Sequence, residues 1–207
     1  MRLHLLSFFL LPLVSANFGP EGSSQKTRLH NQQIPMAVNN EPEYTPQINT
    51  QPTLTDLLTI ESSASIFYSY ARDVEASKLF SDDSAKLTLF VPTNKAVMAL
   101  ARKPHQGPAK PDDDIVVSEE QFDRDSKENV RRWVSAHIIP ETLSVLEPGS
   151  HNTLLDGKSI NISLNKHAGS SSPEWQKVFL EDDIRITGMK EASNGILYII
   201  DGTVDPN

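Results

Sequence analysis

The chain contains no cysteine. It therefore has no disulfide staple, no thiol nucleophile and no thiolate metal ligand. Its fold must rest on burial alone, which is feasible for a domain of about 150 residues. Basic residues are also short: 19 Lys and Arg stand against 27 Asp and Glu, a formal net charge of −8. That balance disfavours a nucleic-acid binder, which needs a basic face to displace counterions. Phosphate loops, a G-x-S-x-G elbow and an H-E-x-x-H helix are all missing. The six histidines are scattered, and no two stand at metal-ligand spacing. No metal or cofactor is expected. After the N-terminus no apolar run approaches the roughly 20 residues of a membrane-spanning helix.

What is present begins with a targeting pattern. Arg2 precedes a mostly apolar run from Leu3 to Val14, and Val14-Ser15-Ala16 suits signal peptidase. Residues 1–16 are thus expected to be a cleaved secretory signal. Residues 17–52 are poor in aromatics and rich in Asn, Gln, Pro and Ser, and read as a disordered polar leader. From residue 53 the pattern becomes that of a folded domain. Leu54, Leu57 and Leu58 share one helical face, with Thr53 or Thr55 as cap; Ile66, Phe67, Tyr70 and Val74 mark a second helix. Residues 102–125 interrupt the pattern with prolines and the triplet Asp112-Asp113-Asp114, and read as a mobile insertion. That triplet lacks the alternating ligands and glycine turn of a calcium loop. Val130, Trp133, Val134, His137 and Ile138 then form an apolar helical stripe ended by Pro140. The remainder is strand-rich, with Asp156-Gly157 as a hairpin turn between 152–155 and 159–164. Helices first and strands later predict an α+β domain.

Two segments carry the most information. Leu87 to Val91 is a short buried strand closed by Pro92, with Thr93 or Asn94 able to cap the helix that follows. Near the C-terminus, Asn194-Gly195 turns into the apolar run Ile196 to Ile200, followed by Asp201. Between them lies the helix that ends in Trp133-Val134-Ser135-Ala136-His137. These three elements, in this order, resemble the signature segments of the fasciclin-like domain family. Phe90, Pro92, Thr93 and Asn94 match the first, His137 the second, and Asn194, Gly195, Tyr198 and Asp201 the third. The resemblance covers residues 53–205 and implies a single domain, a wedge of two β-sheets with helices packed along one side. It also implies a structural role for His137, tying its helix to the central sheet. The family usually has Tyr before this histidine, where Ala136 stands here. Some animal members carry an Asp-Ile pair shortly before the N-G segment that is associated with integrin binding. Met189-Lys190 stands in that place, so integrin binding is not carried over.

The functional expectation is a non-enzymatic protein that acts by protein or glycan contact, of the adhesion type. The order of signal, polar leader and single domain resembles small fungal family members associated with the vacuole, so the vacuolar lumen ranks above secretion to the cell wall. A second reading is a binder of an apolar small molecule or lipid, in a groove lined by Phe67, Tyr70, Trp133 and Ile138. A remote third is a hydrolase using an accessible His137. Asn161-Ile162-Ser163 is a glycosylation sequon. Alternation of Ile160, Ile162 and Leu164 inward would set Asn161 outward.

Overall fold

The computed structural model describes residues 51–108 and 118–207. The expected signal, nearly all of the polar leader, the Asp112–Asp114 triplet and residues 115–117 lie outside them. Among the described residues the α-helices are α1 (Leu54–Ile60), α2 (Ser65–Ala71), α3 (Asn94–Ala99) and α4 (Glu119–Ala136). The strands among them are β1 (Leu87–Pro92), β2 (Ile138–Ile139), β3 (Gly149–Asn152), β4 (Ser159–Leu164), β5 (Val178–Leu180), β6 (Ile184–Ala192) and β7 (Gly195–Ile200).

Local chemistry explains the boundaries. Thr53, not Thr55, caps α1 through a reciprocal box with Asp56, whose side chain returns to the Thr53 amide. Thr93 caps α3 by accepting from the Ala96 amide. Helix α4 starts at Glu119 under a Ser118 cap, so residues 119–125 of the expected insertion are helical. Its first turns are polar apart from the exposed Phe122 and carry no apolar stripe. They are held by the cap and by side-chain bonds from Gln121 to Asp125 and from Arg124 to Gln121.

The strands follow one continuous order, β2-β1-β7-β6-β5-β4-β3. The expected division into two sheets is not confirmed: the long strand β6 pairs with β5 at its start and with β7 along its length. The register shifts between Ile186 and Gly188, a bulge that bends the sheet. The Leu154 amide, just past β3, donates to the Ile138 carbonyl of β2 at 2.8 Å. The two ends of the strand order are thereby drawn together, and the sheet is nearly barrel-shaped.

Strands β1 and β7 are parallel neighbours, with Phe90 opposite Tyr198 and Pro92 opposite Ile200. Every residue of both is buried. Their side chains alternate between two cores, one on each face. Leu89, Val91, Leu197 and Ile199 meet Leu54, Leu58, Phe67 and Trp133 of the helices. Phe90, Ile196, Tyr198 and Ile200 face Ile160, Leu180 and Ile186 inside the curl of the sheet. Phe90 and Tyr198 stack with ring centroids 5.6 Å apart.

Candidate functional site

The polar residues singled out in the sequence lie along the β1–β7 pair, and most are committed inward. Asn194 is fully buried in the tight connection between β6 and β7. Its side-chain oxygen accepts from the Leu54 amide at 2.9 Å, while its side-chain nitrogen donates to the carbonyls of Phe80 and Asp82. One side chain thus holds the start of α1, the segment before β1 and the start of β7. Gly195 beside it leaves no room for a side chain: a Cβ there would lie 2.1 Å from the Leu87 carbonyl oxygen.

Asn94 works in the same way at the other end of β1. It accepts from the Ile66 amide at 2.8 Å and donates to the Ser62 carbonyl at 2.9 Å, joining α3 to the start of α2. The Thr93 amide donates to the Ile200 carbonyl at the end of β7. Asp201 bonds both the amide and the guanidinium of Arg185, each at 2.8 Å, and closes the far end of the β6–β7 pair.

His137, the C-cap of α4, is fully buried. Its Nδ1 lies 2.7 Å from the Trp133 carbonyl, and its Nε2 lies 3.0 Å from the Val204 amide. A carbonyl only accepts and an amide only donates, so the ring is the neutral Nδ1–H tautomer. Burial lowers its pKa to about 4, outweighing the opposite pull of the Trp133 carbonyl; Lys158 adds a smaller push in the same direction as burial. The expectation of a hydrolase built on an accessible His137 is overturned. The imidazole meets no solvent, and both nitrogens are bound to backbone. Ala136, where the family usually has Tyr, is buried against the second core instead.

Tyr198 donates its hydroxyl to the Leu143 carbonyl at 2.8 Å. Burial, with a smaller contribution from Glu191, pushes its pKa up to about 12. A fastener that the sequence reading missed stands next to it. The Thr88 hydroxyl donates to the Glu141 carbonyl and accepts from the Leu143 amide, both at 2.8 Å. Thr88 sits in an apolar strand more than 50 residues from these partners, and nothing local signals such a bond.

On the surface, Asn161 projects outward from β4, between the buried Ile160 and Ile162. Leu164 departs from the expected alternation and is 62% exposed, because it ends the strand beyond the core. Lys190 pairs with Glu61 at 2.6 Å across β6 and the end of α1. The expected groove does not form as read, since Phe67 and Ile138 are sealed in the core. Trp133 lines a cavity of about 370 Å3, together with the segment after α3 and residues 203–207. Among the described residues no cluster of three or more His, Asp or Glu could hold a metal ion, and no helix is long and apolar enough to cross a membrane.

These features define an α+β domain whose central parallel strands are fastened by buried polar side chains. The chain belongs to the fasciclin domain family, whose model matches residues 62–206. A FAS1 domain-containing protein of Eremothecium gossypii is 27% identical over 170 residues, covering 76% of this chain and 66% of the relative. One from Emericella nidulans is 25% identical over 167 residues, covering 76% of this chain and 63% of that protein. One from Saccharomyces cerevisiae is 27% identical over 172 residues, covering 73% and 62%. The chain thus spans just under two thirds of the length of the curated relatives it matches. A solved FAS1 domain pair from the insect cell adhesion molecule fasciclin I aligns with a TM-score of 0.42 at 14% identity, covering 69% of this chain and 45% of that one.

Proposed function

We propose that this protein is a non-enzymatic, adhesion-type fasciclin domain that acts in the secretory pathway through surface contact with a protein or glycan. Membership in a family of adhesion-type domains supports the reading. The observation that carries it is the commitment of the signature side chains: Asn94, His137, Asn194 and Tyr198 all bond to backbone within the domain. Catalysis needs a titratable group within reach of a substrate, and His137, the strongest candidate in the sequence, has none of that access. The outer surface is then left for function.

The compartment rests on the sequence of residues 1–16, with the vacuolar lumen ranked above the cell wall. At an acidic lumenal pH close to the sequence pI of about 5.2, charge repulsion between copies is small, which favours self-association there. Proximity labelling from the tagged full chain in its native cell tests compartment and partners together. The expected neighbours are lumenal or cell-surface glycoproteins. A labelling set made up of cytosolic proteins contradicts the proposal. Recovery of the mature protein only from the medium reverses the ranking of vacuole over secretion.

A further inference from the structure

The cavity beside Trp133 has features that the domain's internal fastening does not use. Trp133 is only 3% exposed, and its ring packs on Phe67, Tyr70 and His137. Its indole N–H has no hydrogen-bond partner among the described residues, yet it is not among the polar atoms sealed from solvent. A buried donor left unpaired in this way costs stability unless water or a ligand accepts from it. Trp133 is one of the residues that line the cavity.

Three cations share the same walls: Arg102, Lys103 and Arg132. Lys103 turns its ammonium group to the carbonyls of Val97, Met98 and Leu100. Arg102 holds the carbonyls of Gln106 and Gly107, and Arg132 donates one N–H to the Pro206 carbonyl. Carbonyls are neutral and do not cancel the charges they bind. None of the three forms an ion pair with a carboxylate among the described residues, although the charge of Arg132 is felt by Glu128; Asp205 is the acidic side chain among the described residues of the wall. The rest of the lining includes the apolar Leu100, Pro104 and Pro206. A local positive excess in a chain of net charge −8 attracts an anion, and apolar walls select one with an apolar body.

We propose that this cavity binds a small monocarboxylate with an alkyl or aryl body. The carboxylate accepts from the Trp133 indole N–H and from the unengaged guanidinium N–H groups of Arg132, while the body lies against Leu100 and Pro104. Charge-assisted bonds of this kind are about twice as strong as neutral ones. A volume of about 370 Å3 falls within the roughly 300–1,000 Å3 typical of small-molecule sites. The proposal stands apart from the contact function, and either can fail without the other.

The test is isothermal titration of the full chain at neutral pH with octanoate, with phenylacetate and with octanol as the uncharged control. One saturable site is expected for at least one carboxylate, and the tighter of the two tells whether the body is alkyl or aryl. Octanol should bind at least about tenfold more weakly than octanoate, and Arg132→Gln should weaken the carboxylate by about tenfold. Leu100→Trp, which fills the cavity without touching a charge, should abolish binding. Circular dichroism confirms that each variant is folded. In a Trp175→Phe background, the remaining indole emission should shift with the same saturation curve. Absence of a saturable site for both carboxylates overturns the proposal. So does equal affinity for octanol, or binding unchanged in both Arg132→Gln and Leu100→Trp.

Discussion

Asn194 and His137 show how single side chains can fix distant backbone. Replacing Asn194 by Ala would leave the Leu54 amide and the Phe80 and Asp82 carbonyls without their partner. Each buried group so stranded costs about 1–3 kcal/mol, so urea unfolding should show a loss of about 3 kcal/mol or more. Gly195→Ala forces a Cβ against the Leu87 carbonyl oxygen, and a comparable or larger loss is expected, read as poor yield of folded protein or a collapse of the urea midpoint. His137 gives the domain a defined pH dependence. Its pKa is lowered from the ordinary 6.5 to about 4 on folding, so the unfolded chain takes up the proton first as the solution is acidified. The contribution is fully present above about pH 6.5 and is lost as the pH falls toward about 4, by on the order of 3 kcal/mol. Urea titrations at pH 7, 5.5 and 4.5 should show that decline, and His137→Gln should flatten it while lowering stability at pH 7. Nitrogen chemical shifts of the imidazole provide a direct check, with a neutral Nδ1–H ring expected well below pH 6.

At the scale of elements, the fastening between β1 and the 141–143 segment is the most exposed to test. Thr88→Val keeps the shape of the side chain but leaves the Leu143 amide unpaired, with an expected loss of about 1–3 kcal/mol; Tyr198→Phe removes one bond to the Leu143 carbonyl and should cost about 1 kcal/mol. The two act on the same segment, so a double-mutant cycle should return a coupling rather than simple addition. Strands β1 and β7 were legible in the sequence because they are buried on both faces and read as unbroken apolar runs closed by Pro92 and opened by Asn194-Gly195. Val130, Trp133 and Val134 at the end of α4 were legible from their helical period, but the helix stops at Ala136, not at Pro140, and Ile138, expected on the same stripe, belongs to β2. The first three turns of α4 were not, because a solvated helix start held by capping and polar side-chain bonds has no apolar period. Strand β3, Gly149–Asn152, was displaced toward the turn by the Asp156-Gly157 signal. Thr153 and Leu155 instead fold inward, with the Thr153 amide on the Lys158 carbonyl, and make a longer connection. The curvature that makes the strand order nearly barrel-shaped depends on the bulge in β6 and the closure at Ile138, both of which involve partners remote in sequence. Asn94 and Asn194 could be recognised as signature positions, but their bonding partners could not.

For the molecule as a whole, the family, the α+β class and the central strand pair were legible, while the compartment and the partner rest on surface and targeting features that pattern alone does not resolve. Asn161 belongs to this scale. Its side chain has no hydrogen bond within the described domain and points outward from β4, so a chain made through the secretory pathway is expected to carry an N-glycan there. A mass shift on enzymatic deglycosylation, absent in Asn161→Gln, checks this; an unmodified wild-type chain from its native cell contradicts it. The central claim is that the β1 and β7 segments, about 100 residues apart, form the inner ladder of one cooperative domain, bound to the helices by buried polar side chains. Native-state hydrogen exchange measures this most directly. The account predicts that the β1 and β7 amides exchange only through global opening, with one shared free energy equal to that from urea unfolding. Exchange of either strand at a distinctly lower free energy than the other would contradict it.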